Sequence, residues 1–311
     1  MNRLFEPFFD RQGVVILDGG LATELEARGV RLDDALWSAR LLRDDPEAIG
    51  GIHLSYLEAG ADCITSAAYQ ATLEGFESQG AAPAEAEELL LRSDRIALEA
   101  RDRFWQSRHP DGRLRPLVAA GVGPYGASLA DGSEFRGDYG LDQADLVEFH
   151  ERRWRLLAGG GADLLACETL PSAVEARALL ALLGRSPKVC AWFCFSCRDE
   201  KRISDGTLLA EVAAELDRSS QVVGIGVNCT APRLLPSLIR ELAGVTGKPI
   251  VVYPNAGEEF DADTRAWRPG EAPVDFAVEA PRWALAGARL IGGCCRTGPD
   301  DIRRLRRALV G

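Results

Sequence analysis

Eight short apolar segments recur along these 311 residues, rich in Val, Ile, Leu and Ala and most of them running out into Gly, Pro, Asn, Asp or Thr. They are VVILDGG from Val14, ADCITSAAY around Cys63, LVAAGVGP from Leu117, ADLLACET around Leu165, KVCAWFCFS from Lys188, QVVGIGVNCT from Gln221, PIVVYPNAG from Pro249 and ARLIGGCC from Ala288. Amphipathic stretches such as PEAIGGIHLSYLEAGA, AEAEELLLRSDRIALEARDRFW, QADLVEFHERRWRLLAGG and AVEARALLALLG lie between them. Continuous apolar strands alternating with helices require a parallel sheet covered on both faces. Eight such units predict a single (β/α)8 TIM barrel, with a doubly wound open sheet as the second choice. No Pro-rich or Ser-rich linker divides the chain, so residues 1–311 read as one domain.

A short echo supports repetition. Ala59-Gly60-Ala61-Asp62 before the second strand returns as Gly160-Gly161-Ala162-Asp163 before the fourth, with glycine where a left-handed helix cap would fall. Hydrophobic residues make up 46% and charged residues 27%, the balance of a soluble globular chain. Asp and Glu outnumber Lys and Arg 47 to 36, and a net charge of -11 argues against nucleic acid as a partner. The opening 13 residues lack the apolar stretch of a signal peptide and no apolar run reaches membrane-spanning length, so the expectation is a cytoplasmic protein with no membrane contact.

In a barrel of this kind, chemistry gathers where strands end and βα loops begin. Those ends carry Asp18, Tyr69, Glu168, Asn228-Cys229, Asn255 and Gly292-Gly293-Cys294-Cys295. Two long segments, 125–140 after strand three and 258–273 after strand seven, lie on the same rim and could close over a substrate or be plain surface insertions. Cys229 ends strand six and Cys294-Cys295 ends strand eight, so the fold would converge three thiols that lie 65 positions apart. Three thiolates with a fourth position open would suit a catalytic Zn²⁺, provided a turn lets both neighbouring cysteines face one point. The alternatives are ordinary small buried residues or a strained redox-active pair. Cys63, Cys167, Cys190 and Cys194 read as packing, and the Cys194/Cys197 CxxC does not open a helix as a thioredoxin-like motif would.

Asp18 and Glu168 put two carboxylates on the same rim, able to grip an ammonium; a helix N-cap for Asp18 and a salt bridge for Glu168 are the competing readings. In the GxGxxG from Gly121 to Gly126, Pro124 removes an amide donor, and the following Ala127 to Gly140 is loop-like rather than an amphipathic helix, which argues against dinucleotide binding. Lys188, Lys201 and Lys248 are the three lysines, and none sits at a strand end, which disfavours Schiff-base chemistry. His53, His109 and His150 show no ligand spacing and are given no role.

The segments ILDGGLATELEARG, LWSARLL, GADCITSAAYQAT, GVGPYGASLADGSEFRGDYG, ADLLACETLPS, GIGVNC, VVYPNAGE and GARLIGGCC together resemble the zinc-dependent homocysteine S-methyltransferases, over nearly the whole chain. The likeness is greatest to the short, free-standing enzymes that use S-methylmethionine or S-adenosylmethionine. This resemblance implies Zn²⁺ on Cys229, Cys294 and Cys295, with the homocysteine sulfur at the open position. It also implies that Asp18 and Glu168 bind the amino-acid end of homocysteine and that Trp37 and Tyr69 line the donor side. Cobalamin-dependent relatives carry further domains and betaine-using relatives a long segment after GGCC, whereas 16 residues follow Cys295 here, in keeping with a monomer. Methylation of another thiol or selenol, or a non-catalytic zinc-binding or thiol-sensing barrel, are the competing functions.

Overall fold

Apolar runs with β-branched and small side chains pair side by side, and the intervening helices cover them. The structure, a computed structural model, describes residues 3–30, 37–107, 112–129, 131–257, 259–261, 266–268 and 274–311. Its strands are β1 (Val15–Ile16), β2 (Cys63–Thr65), β3 (Leu117–Val122), β4 (Leu164–Leu170), β5 (Ala191–Phe195), β6 (Val222–Asn228), β7 (Ile250–Tyr253), β8 (Glu259–Asp261), β9 (Ala266–Arg268) and β10 (Ala288–Ile291). All but β8 and β9 form one eight-stranded parallel sheet in the order β1-β10-β7-β6-β5-β4-β3-β2. A parallel bridge from Leu17 to Cys63, with Asp18 N–H donating to the Cys63 carbonyl at 3.1 Å, brings its two ends together. The architecture is a (β/α)8 barrel, and each of the eight anticipated strands is present.

The two-residue period of a strand sorts side chains into two layers. Val15, Leu17, Ala119, Leu164, Ala166, Trp192, Cys194, Val251 and Leu290 fill the barrel, while their neighbours Ile16, Val118, Leu165, Phe193, Val252 and Ile291 pack under the helices. Cys63, Cys190 and Cys194 belong to the inner layer and Cys167 to the outer one, all buried and packed as anticipated. Phe8, from a helix at Glu6–Gln12 that the sequence reading did not anticipate, and Phe5 at its N-cap join the inner layer and plug the end of the barrel where strands begin.

The repeated Gly-x-Asp echo has a physical basis at that same end. Gly60 and Gly161 adopt left-handed φ values of 116° and 90°. Each returns the chain so that the following aspartate accepts a backbone N–H from the preceding strand in the barrel: Asp62 from Ile16 at 3.0 Å, Asp163 from Val118 at 2.8 Å. Arg306 of the last helix then pairs with Asp62 at 2.9 Å, and Arg101 with Asp163 at 3.1 Å. Lys248 donates to the Ser219 carbonyl at 2.9 Å and is likewise engaged in structure.

Other expectations need adjusting. Segment 125–140 contains a short helix, Tyr125–Leu129, and a 3-10 turn, Ser133–Phe135, rather than plain loop. Part of segment 258–273 is the β8–β9 antiparallel hairpin, and the remainder lies outside the described residues. Helix Phe276–Ala286 covers β10 and carries Pro281 in its interior. No described helix is long and apolar enough to cross a membrane.

Candidate metal centre

Cys229 immediately follows β6, and Cys294 and Cys295 follow β10 after Gly292 and Gly293. The Sγ atoms of Cys229 and Cys295 are 3.6 Å apart and those of Cys294 and Cys295 4.0 Å, and all three lie within 4.8 Å of one another. Tetrahedral zinc with ~2.3 Å bonds separates its sulfur ligands by about 3.8 Å. The three thiols therefore fit a shared tetrahedral ion without rearrangement of the fold.

Backbone geometry explains how adjacent cysteines reach one point. Cys229 takes a left-handed φ of 46°, and Arg296, just beyond Cys295, one of 65°. The turn is tied down: Cys294 N–H donates to the Pro254 carbonyl at 2.8 Å, Ala256 N–H to the Cys295 carbonyl at 3.1 Å, and Thr297 Oγ1 to the Cys294 carbonyl at 2.6 Å. Gly293 is required by close approach, since a Cβ there would sit 2.4 Å from Thr297 Oγ1. S–H hydrogen bonds from Cys229 and Cys295 drive Cys294 well below the usual thiol range, while the same contacts and burial push Cys229 up.

Two carboxyls face this centre. Asp18 does not cap a helix: Gly20 occupies the N-cap of Leu21–Ala27, and Asp18 Oδ2 instead accepts the Thr65 N–H at 2.8 Å. Glu168 accepts from Tyr253 Oη at 3.2 Å, and no ion pair to it occurs among the described residues. Burial raises Asp18 to about 7 and Glu168 to about 8, with the negative Cys294 adding to both. A pocket that resists holding this much negative charge gains by admitting a cation.

Tyr69 is a half-buried neighbour of the same group. Its phenol is pushed up by burial first and then by the charges of Glu134, Cys229 and Glu168, with the Thr169 side chain offsetting part of the rise. Trp37 opens the 3-10 turn Trp37–Arg40, and its side chain lies outside the described part of the structure. Asn255 follows β7, its N–H donating to the Thr230 carbonyl at 3.3 Å; its side-chain oxygen is buried without a hydrogen-bond partner among the described residues.

Sequence reasoning missed Arg153, which reads as one more charge on an exposed helix. It is buried, and its guanidinium donates to the carbonyls of Gly123 at 3.1 Å, Ala68 at 2.7 Å and Tyr69 at 2.9 Å, clasping the loops after β2 and β3. Burial lowers its pKa to about 10, still leaving it charged at neutral pH. His150, buried beside it in sequence, meets Glu175 at 2.8 Å; Glu175 also accepts the Tyr125 N–H at 2.6 Å, anchoring segment 125–140. His109 lies outside the described residues.

A parallel barrel with three thiols and two carboxyls on its strand-end rim defines a candidate metal-assisted enzyme of small-molecule chemistry. A family model described as "S-methyl_trans: Homocysteine S-methyltransferase" matches residues 15–309, and the chain belongs to that family. It is 47% identical over 297 residues to homocysteine S-methyltransferase YbgG of Bacillus subtilis, covering 95% of this chain and 94% of the relative. Selenocysteine Se-methyltransferase of Brassica oleracea var. italica is 45% identical over 309 residues, covering 96% of this chain and 89% of the relative. The crystal structure of the homocysteine methyltransferase MmuM from Escherichia coli in a metallated form superposes with a TM-score of 0.88 at 45% identity, covering 97% of this chain and 99% of that one.

Proposed function

We propose that this methyltransferase moves a methyl group from a sulfonium donor, S-methylmethionine or S-adenosylmethionine, to the thiol of homocysteine, with Zn²⁺ held by Cys229, Cys294 and Cys295. The observation that carries this reading is the convergence of the three sulfurs within 4.8 Å on the catalytic rim. A free thiol has a pKa near ~8.5, so only a few per cent is nucleophilic at neutral pH. Held by this donor set, zinc would supply the Lewis acidity that removes the thiol proton.

The residues around the sulfurs supply binding and aim. Asp18 and Glu168, raised by burial to about 7 and about 8, ionise readily once an ammonium shares their pocket, and so suit the amino end of homocysteine. The faces of Tyr69 and Trp37 suit cation-π contact with a sulfonium, whose charge is lost as the methyl group leaves. What remains is alignment of the attacking sulfur, methyl carbon and leaving sulfur, which can remove several kcal/mol of barrier. One chain, 1–311, holds every residue used here, so a monomeric domain suffices. The need to keep Cys229 and Cys295 reduced fits the cytoplasm.

Methionine formation from homocysteine with each donor, measured alongside bound metal, tests this reading. Turnover with at least one sulfonium donor is the expected result, and none with either, in zinc-loaded protein, would overturn it. The Brassica relative favours a second reading, methylation of a selenol. A panel of homocysteine and selenocysteine compared by kcat/KM separates the two.

A further inference from the structure

Strand β4 contains an extra residue where it meets β5. Cys167 pairs with Phe193 and Leu170 with Phe195, so three steps on one strand match two on the other. Such a bulge re-aims side chains beside active sites and takes an N–H out of the ladder. Here it sets Glu168 and Thr169 between the outward-packed Cys167 and Leu170. Thr169 pays with a left-handed φ of 56°, which a β-branched residue rarely adopts.

The N–H released by the bulge is taken up from two strands away. Asn228, the fully buried last residue of β6, accepts the Thr169 N–H on Oδ1 at 2.7 Å, and its Nδ2 donates to Thr169 Oγ1 at 2.7 Å. The backbone N–H can only donate, which fixes the amide orientation. That leaves Nδ2 facing Cys294 Sγ at 4.0 Å as well. The next residue is Cys229, itself left-handed. One amide therefore touches both the bulge beside Glu168 and a sulfur of the thiol cluster.

We propose that Asn228 is a positioning residue that couples the two halves of the site: it holds the β4 bulge so that Glu168 keeps its aim, and its N–H steadies Cys294. The proposal rests on the functional reading above for the role of Glu168. Asn228→Asp keeps an acceptor for the Thr169 N–H and can accept from the Thr169 hydroxyl, but has no N–H for sulfur. Asn228→Ala loses both.

The test compares full-length wild type, N228A and N228D, each as zinc and as Co²⁺ protein, with melting curves run in parallel. In N228A the homocysteine KM should rise at least tenfold while the donor KM moves less than threefold. N228D should recover most of that KM but not kcat. The thiolate-to-cobalt absorption band should shift in both variants, because both lose the N–H facing Cys294. Wild-type values of KM and an unmoved band in both variants would overturn the proposal, as would equal loss in N228A and N228D with parallel drops in melting temperature. Should wild type produce no methionine, the functional reading fails; the cobalt band then decides the Cys294 half of the proposal alone, and homocysteine binding by calorimetry decides the Glu168 half.

Discussion

Tyr69 occupies the space that a side chain at position 123 would need: a Cβ on Gly123 would lie 2.3 Å from the Tyr69 carbonyl oxygen and 2.8 Å from its ring. The obstacle is backbone, itself clasped by Arg153, so it cannot swing aside as a flexible side chain would. Gly123→Ala should therefore displace Tyr69 and lower kcat/KM for methyl transfer at least tenfold, about 1.4 kcal/mol of transition-state stabilisation. Metal content should stay at the wild-type level, which a metal assay on the same sample checks.

Asp62 lies at the opposite end of the barrel and bears on stability. Its buried carboxylate joins the Ile16 N–H, Arg306 and Arg113, tying the first strand to the last helix. Asp62→Ala leaves two arginines without their anion and a buried N–H unmet. A loss of about 3–5 kcal/mol is expected, seen as a lower denaturation midpoint, with kcat of the remaining folded enzyme little changed.

Asp94 makes stability depend on pH. Burial lifts its carboxyl from 3.8 to about 6, with the Ser66 and Ser93 hydroxyls offsetting part of the rise. Between about 4 and 6 the folded state then binds more protons than the unfolded one, so this group's contribution falls as pH rises through that window. Asp94→Asn removes the effect. The variant should be more stable than wild type by about 2–3 kcal/mol at pH 8, and the difference should close as pH approaches 4. Denaturant titrations at several pH values measure it.

The features legible in the sequence are those with a short period or a fixed local cost. Eight apolar runs separated by helices specify the barrel because parallel strands need cover on both faces. Gly60-Ala61-Asp62 and Gly161-Ala162-Asp163 could be seen as an echo because a left-handed turn demands glycine. The meeting of Cys229 with Cys294 and Cys295 was legible only through the fold, since no local spacing predicts it. The β4 bulge at Glu168-Thr169 and its clasp by Asn228 depend on strand register, which composition does not encode. Arg153 escaped notice for a related reason: its three carbonyl partners come from loops some 30 to 85 positions away and give no pattern on its own helix. Pro281 and the short length of Glu6–Gln12 masked two helices that packing against the barrel stabilises.

The most direct measurement is on Cys229→Ser, whose hydroxyl replaces one sulfur of the cluster while leaving the barrel core untouched. Bound zinc and methionine formation from homocysteine and S-methylmethionine should fall together, each to a few per cent of wild type or less, with the melting temperature of the metal-free proteins unchanged. Full methyl transfer by this variant in metal-free buffer would contradict the account.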